Sequence, residues 1–178
     1  MITGGARVGK TKLAINICKK QGPRVMYIAT TLPNDDIFEK EKIRRSRKQR
    51  PFNWEIREGF LNIDSILEEY GNQYDAMLIE NLTSLVSNLM SHYGYSEEEN
   101  NLRYVEREIV EDINTITSAA KKIYALVVFV TNEVDIYPQN TEASFKALLE
   151  ILGRVNQQVA ALSNEVYMVV SGIPLQVK

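Results

Sequence analysis

The chain has 178 residues, 44% of them apolar and 25% charged, with a formal net charge of -2. That length supports one α/β domain with a proper core and is short for two, so residues 1–178 are read as a single domain. The near-neutral charge recommends neither a nucleic-acid nor a membrane partner. The single cysteine, Cys18, excludes an internal disulfide and fits a reducing compartment. The longest apolar run, Ala125 to Val130, falls far short of the roughly 20 residues of a membrane span.

In chain order, Met1 to Thr3 predicts a first, very short strand, and Gly4 to Thr11 is a glycine-containing loop. Because this loop begins so early, no leader is expected and the protein is read as cytoplasmic. Lys12 to Lys20 predicts a helix and Val25 to Ala29 a second strand. Lys40 to Arg50 carries seven basic residues and stops at Pro51. It reads either as a solvated helix face or as a contact for an anionic ligand. Ile63, Ile66, Leu67 and Tyr70 predict a helix, Ala76 to Ile79 a strand, and Leu82 to Met90 a helix. A longer helix is expected after Ser96 as N-cap, with Leu102, Val105, Ile109, Ile113 and Ile116 on one face. Tyr124 to Thr131 and Val166 to Ser171 predict strands, with a helix between them carrying Leu148, Ile151, Leu152, Val155, Val159 and Leu162. Ser171 to Pro174 reads as a turn too short for a parallel crossover, so Leu175 to Val177 should pair antiparallel at the sheet edge. Strands reading as continuous apolar runs and alternating with helices predict a mostly parallel sheet covered on both faces.

Gly4-Gly5-Ala6-Arg7-Val8-Gly9-Lys10-Thr11 fits G-x-x-x-x-G-K-[ST] between a predicted strand and a predicted helix. Glycines let backbone N–H groups turn inward around a polyphosphate, and the helix N-terminus adds a favourable partial charge. Lys10 is expected on the β- and γ-phosphates and the Thr11 hydroxyl on Mg²⁺. Glu80 ends an apolar strand, where a carboxylate can hold the metal or its water; the plainer reading is that it favours the next helix N-terminus. Glu58 and Glu133 are weaker carboxylate candidates. The stretch Val130-Thr131-Asn132-Glu133-Val134 lacks the N-K-x-D motif of switch GTPases. His92, the only histidine, is expected to be structural, and Cys18 a small buried side chain.

These residues together resemble the bifunctional adenosylcobinamide kinase and adenosylcobinamide-phosphate guanylyltransferase family of cobalamin synthesis. The resemblance rests on Thr3 to Arg7 with Gly9-Lys10, Tyr27-Ile28-Ala29-Thr30, and Arg50-Pro51 with Trp54, Glu58 and Glu80. It continues through Val130 to Val134, Gly153-Arg154-Val155-Asn156-Gln157, and Val169 to Ile173. It implies a RecA-like P-loop fold, GTP or ATP with Mg²⁺, a homotrimer, and adenosylcobinamide as substrate. By position it also implies nucleotide contacts at Gly4 to Thr11, at Ala29, Thr30 and Thr31, at Arg47, Lys48, Gln49 and Arg50, and at Glu58 and Glu80. The family's GMP-accepting histidine falls at Ser46, and the glycine-containing stretch after the T-N-E-V motif is replaced by Asp135-Ile136-Tyr137. The helix that follows is also altered, around Phe145 to Glu150. The reading is therefore a kinase in which histidine-dependent GMP transfer is lost or severely weakened. The alternatives are a fully bifunctional enzyme, and a nucleotide-binding protein without catalysis.

Overall fold

The computed structural model describes residues 1–31, Arg44, Arg47, 50–133 and 142–178, with 99 and 100 by backbone alone. Ser46, Lys48, Gln49, Val134 and Asp135-Ile136-Tyr137 lie outside the described residues. Seven strands form one sheet: β1 (Ile2–Gly4), β2 (Val25–Ala29), β3 (Glu55–Glu58), β4 (Ala76–Glu80), β5 (Leu126–Val130), β6 (Tyr167–Val170) and β7 (Ile173–Gln176). Their order is β3-β2-β4-β5-β1-β6-β7, parallel throughout except for the antiparallel β6–β7 pair. The described helices are α1 (Lys10–Gln21), α2 (Ile63–Tyr70), α3 (Leu82–His92), α4 (Glu99–Lys122) and α5 (Ala143–Leu162).

Side chains alternate between the two faces, and burial on both explains why β2, β5 and β4 as far as Ile79 are apolar at every position. Met26, Ile28, Met77 and Ile79 face a core built with α2, α3, α4 and α5. Val25, Tyr27, Ala29, Ala76 and Leu78 face the other side, where Ala14, Ile15 and Cys18 of α1 pack. Ala76 to Ile79 are fully buried. Each large side chain buried this way contributes about 1.5–3 kcal/mol relative to exposure. Cys18 belongs to this core, and burial pushes its thiol up to about 12.

Two expectations are corrected, and two features go beyond them. The first strand is short yet is paired on both sides, by β5 and β6, and so sits inside the sheet. Glu55–Glu58 forms an edge strand that no apolar pattern announces: all four residues are exposed, and the strand exists through its register with β2, Met26 opposite Glu55 to Ala29 opposite Glu58. Ser96 does not cap α4, which starts at Glu99 after Glu98. The Asn101 amide pins the preceding loop instead, accepting from the Ser96 N–H at 2.6 Å and donating to Gly94 O at 3.2 Å. Finally, the C-terminal turn is only Ser171-Gly172, with φ of 50° and 86°, so Ile173 and Pro174 already belong to β7.

Candidate active site

The in-register pairing places Glu58, Ala29 and Glu80 in one row at the carboxyl ends of β3, β2 and β4. In a parallel sheet such a row shares a face, here the α1 side, and neighbouring strands lie about 4.8 Å apart. Ligands of α/β sheets sit at this end of the strands.

The glycine loop runs from β1 into α1. Gly4 has φ 141°, and a Cβ there would lie 2.5 Å from Val169 O, so only glycine lets the loop leave the sheet. Gly9 caps α1 with φ 104°, a conformation that L side chains rarely adopt. Gly5 and Val8 are half-buried, while Ala6 and Arg7 are exposed on the loop's outer turn, Arg7 with φ 60°.

Lys10 and Thr11 open α1 on opposite duties. The Lys10 ammonium is buried and donates to Gly4 O at 2.9 Å, Gly5 O at 2.6 Å and Asn132 Oδ1 at 2.9 Å. Burial holds its pKa below the usual lysine value, with the Glu80 carboxylate pulling the other way. The Thr11 hydroxyl donates to Glu80 Oε1 at 2.5 Å, and the Tyr27 hydroxyl donates to Glu80 Oε2 at 2.5 Å. Glu80 therefore points into the site, and the reading in which it serves only the helix after it does not describe its side chain. That helix, α3, is capped by Asn81, whose side chain accepts from the Ser84 N–H at 2.8 Å.

Ala29, Thr30 and Thr31 carry β2 into the site and are stitched to α3. The buried Thr30 hydroxyl donates to Asn81 O and accepts from its N–H, both at 2.7 Å. Asn88 donates to Thr30 O at 2.7 Å, and Thr31 bonds Ser84 at 2.9 Å.

Two described residues of the basic segment, Arg47 and Arg50, reach the neighbourhood of the same row. Arg50 lies over the Tyr27 ring, 3.6 Å from its centroid, in cation–π geometry. Arg47 pairs with Glu58 at 2.5 Å, both side chains substantially exposed. Tyr27 thus joins the two halves, its ring under Arg50 and its hydroxyl on Glu80. Of the residues singled out from the sequence, Lys10, Thr11, Glu80, Glu58, Arg47 and Arg50 gather here. His92 does not: it is exposed at the end of α3, edge-on to the rings of Phe60 and Tyr93.

Sequence reasoning gave no role to Tyr27, Asn132, Thr83 or Asn156. Asn132 donates to Thr83 Oγ1 at 3.0 Å while accepting from Lys10. Buried Asn156 of α5 accepts from the Thr131 hydroxyl at 2.7 Å and donates to Asn132 O at 3.1 Å. The available signal was the polar run Thr131-Asn132-Glu133 directly after an apolar strand, and a tyrosine among the aliphatic residues of β2.

A glycine loop closed on a lysine, with a hydroxyl and a carboxylate in contact beside it, can hold a polyphosphate and a divalent cation next to it. Residues 1–177 match the family described as cobinamide kinase / cobinamide phosphate guanyltransferase. The chain is 36% identical, over its whole length and 98% of the relative's, to the bifunctional adenosylcobalamin biosynthesis protein CobU of Escherichia coli. The same identity and coverage hold for CobU of Salmonella typhimurium. Identity to the bifunctional adenosylcobalamin biosynthesis protein CobP of Pseudomonas aeruginosa is 24%, over the whole chain and 96% of that protein. Among solved structures, a prototypical ATPase from the type III secretion system of pathogenic bacteria aligns with TM-score 0.55 at 9% identity. That alignment takes in 95% of this chain and spans half of the ATPase chain, and it shows the P-loop fold alone. On the match of residues 1–177 and the full-length 36% identity, the chain belongs to the cobinamide kinase / cobinamide phosphate guanyltransferase family.

Proposed function

We propose that this protein is an adenosylcobinamide kinase, moving the γ-phosphoryl group of GTP or ATP onto the aminopropanol hydroxyl of adenosylcobinamide. The observation that carries the proposal is the contact of the Thr11 hydroxyl with the Glu80 carboxylate at 2.5 Å, beside buried Lys10, in a member of this family. Gly4 to Thr11 wrap the phosphates with backbone N–H groups, and Lys10 exchanges part of its loop bonding for β- and γ-phosphate oxygens. Ala29 to Thr31, Arg47 to Arg50 and Glu58 flank the rest of the nucleotide.

The hydroxyl and carboxylate fit Mg²⁺, which commonly takes one or two protein oxygens and completes its shell with phosphates and water. Bound there by Thr11 and Glu80, the ion supplies charge neutralisation at the phosphates.

The kinase step is the retained one in this reading. Attack on the α-phosphorus of GTP by the protein needs a nucleophile available at neutral pH, such as neutral imidazole. Ser46 takes the histidine's position, flanked by Arg44, Arg45 and Arg47. A serine hydroxyl needs a base, and guanidinium groups cannot serve. The test offers adenosylcobinamide with γ- or α-labelled GTP and Mg²⁺. Label from the γ-position should reach the corrinoid, and no GMP–protein adduct should form until Ser46→His introduces one. Absence of γ-label transfer sinks the kinase reading; a serine-linked GMP on the unaltered protein restores the bifunctional one.

We also propose a homotrimer working in the cytoplasm. An apolar edge is available for self-association, with Val170, Ile173, Leu175 and Val177 between 45% and 63% exposed. No described helix is long and apolar enough to cross a membrane. Light scattering on the purified chain gives the subunit count.

A further inference from the structure

The acceptor hydroxyl must lose its proton as it becomes a phosphate ester, and the metal–phosphate machinery described above includes no group for that task. Three described carboxylates stand at carboxyl ends of strands on the loop's side of the molecule. Glu80 is committed at both oxygens, to Thr11 and to Tyr27, each at 2.5 Å. Glu58 is paired with Arg47 and lies on the edge strand, with β2 between it and Glu80. Glu133 differs from both. Its backbone N–H donates to Gly4 O at 3.1 Å, which fixes it against the first residue of the phosphate loop. Its Oε2 is anchored by the Thr3 hydroxyl at 2.5 Å. Its Oε1 has no hydrogen-bond or ion-pair partner among the described residues. The preceding residue, Asn132, touches the Lys10 ammonium at 2.9 Å, so this corner of the site is the one the lysine serves.

We propose that Glu133 is the general base of the phosphoryl transfer, an inference that rests on the kinase reading. One oxygen is held by Thr3 and the other has no partner among the described residues, which leaves it able to take a proton, as a positioned base requires. In the step, the acceptor oxygen bonds to the γ-phosphorus while the bond from that phosphorus to the β–γ bridging oxygen breaks. The nucleoside diphosphate leaves with the electron pair, and the hydroxyl proton passes to Glu133 and then to water. Thr3 is a positioning residue, acting through the carboxylate it anchors.

Phosphorylation of adenosylcobinamide by γ-labelled GTP is measured for the unaltered chain, Glu133→Gln, Glu133→Asp and Thr3→Val, beside Mg-nucleotide affinity and melting temperature. Glutamine keeps an acceptor for Thr3 and removes the base. It should lower kcat about 100-fold or more, within the usual contribution of a positioned base, with nucleotide affinity changed less than about threefold. Aspartate, drawn back by one methylene, and Thr3→Val should each fall between the two. Turnover of Glu133→Gln within tenfold of the unaltered chain overturns the assignment and leaves the kinase reading standing. Parallel loss of kcat, nucleotide affinity and melting temperature in Glu133→Gln marks a structural tie between β5 and β1, and overturns it equally. If the unaltered chain transfers no γ-label, the kinase reading itself fails, and Glu133 falls with it.

Discussion

The two halves of the site are built differently. On the phosphate side, Lys10, Thr11 and Glu80 sit between a helix start and the interior strands β1, β4 and β5, and each is bonded to a neighbour that is itself fixed. On the basic side, Arg47 and Glu58 meet on the outer strand, their side chains 52% and 39% exposed. Charges preorganised away from water act more strongly than the same charges in solvent, where screening and side-chain entropy erode the gain. Substitutions on the phosphate side should therefore cost function steeply, and those on the basic side gently.

The steepest expected loss is at Glu80. Glu80→Gln removes the charge proposed to face the metal while leaving an amide of the same shape for Thr11 and Tyr27. Mg²⁺-dependent turnover should fall about 100-fold, equivalent to ~2.7 kcal/mol at the transition state. The melting temperature of the metal-free protein should move by only a few degrees, because the fold rests on the apolar rows beneath. A large drop in that temperature with activity retained would return Glu80 to a structural role. Lys10→Ala comes next. Charge-assisted phosphate contacts are worth roughly 1.5–3 kcal/mol each, so affinity for the Mg-nucleotide or turnover should weaken at least tenfold. Titration with the diphosphate and the triphosphate sharpens the result, since the loss should be greater for the triphosphate if Lys10 binds the γ-phosphate as proposed. Unchanged affinity and rate together would make the phosphate loop ornamental.

The phosphate side was also the more legible in the sequence, for a related reason. Its loop residues are neighbours along the chain, so Gly4, Gly9, Lys10 and Thr11 announce their geometry through spacing alone. The interior strands were legible because burial on both faces forces unbroken apolar runs such as Ala76 to Ile79. The basic side depends on contacts between distant segments. Glu55 to Glu58 carries no strand pattern, since a solvent-facing edge places no apolar demand on its residues, and charge on an edge blocks unwanted pairing. The coupling of Tyr27 to both Arg50 and Glu80 likewise appears only once β2 lies between its two neighbours. Asn156 lies 24 residues from its partner Asn132 and sits within an apolar helical face, where its polarity had no local explanation.

The gentlest effect is expected from the Arg47–Glu58 pair, and it tests the comparison from the other end. Its 2.5 Å separation describes a close ion pair, yet both partners keep much of their water. Such pairs usually contribute about 0–1 kcal/mol and weaken with salt. A double-mutant cycle with Arg47→Ala and Glu58→Gln should therefore give a coupling below about 1 kcal/mol in unfolding free energy, shrinking further as salt is raised. Each single change should weaken Mg-nucleotide affinity by about threefold or less, because a ligand reached by exposed arms can find water or a neighbouring arginine instead. Coupling above about 2 kcal/mol that resists salt would mean the pair is shielded when the protein folds. The edge strand would then be as preorganised as the phosphate loop, and the contrast between the two halves would not hold.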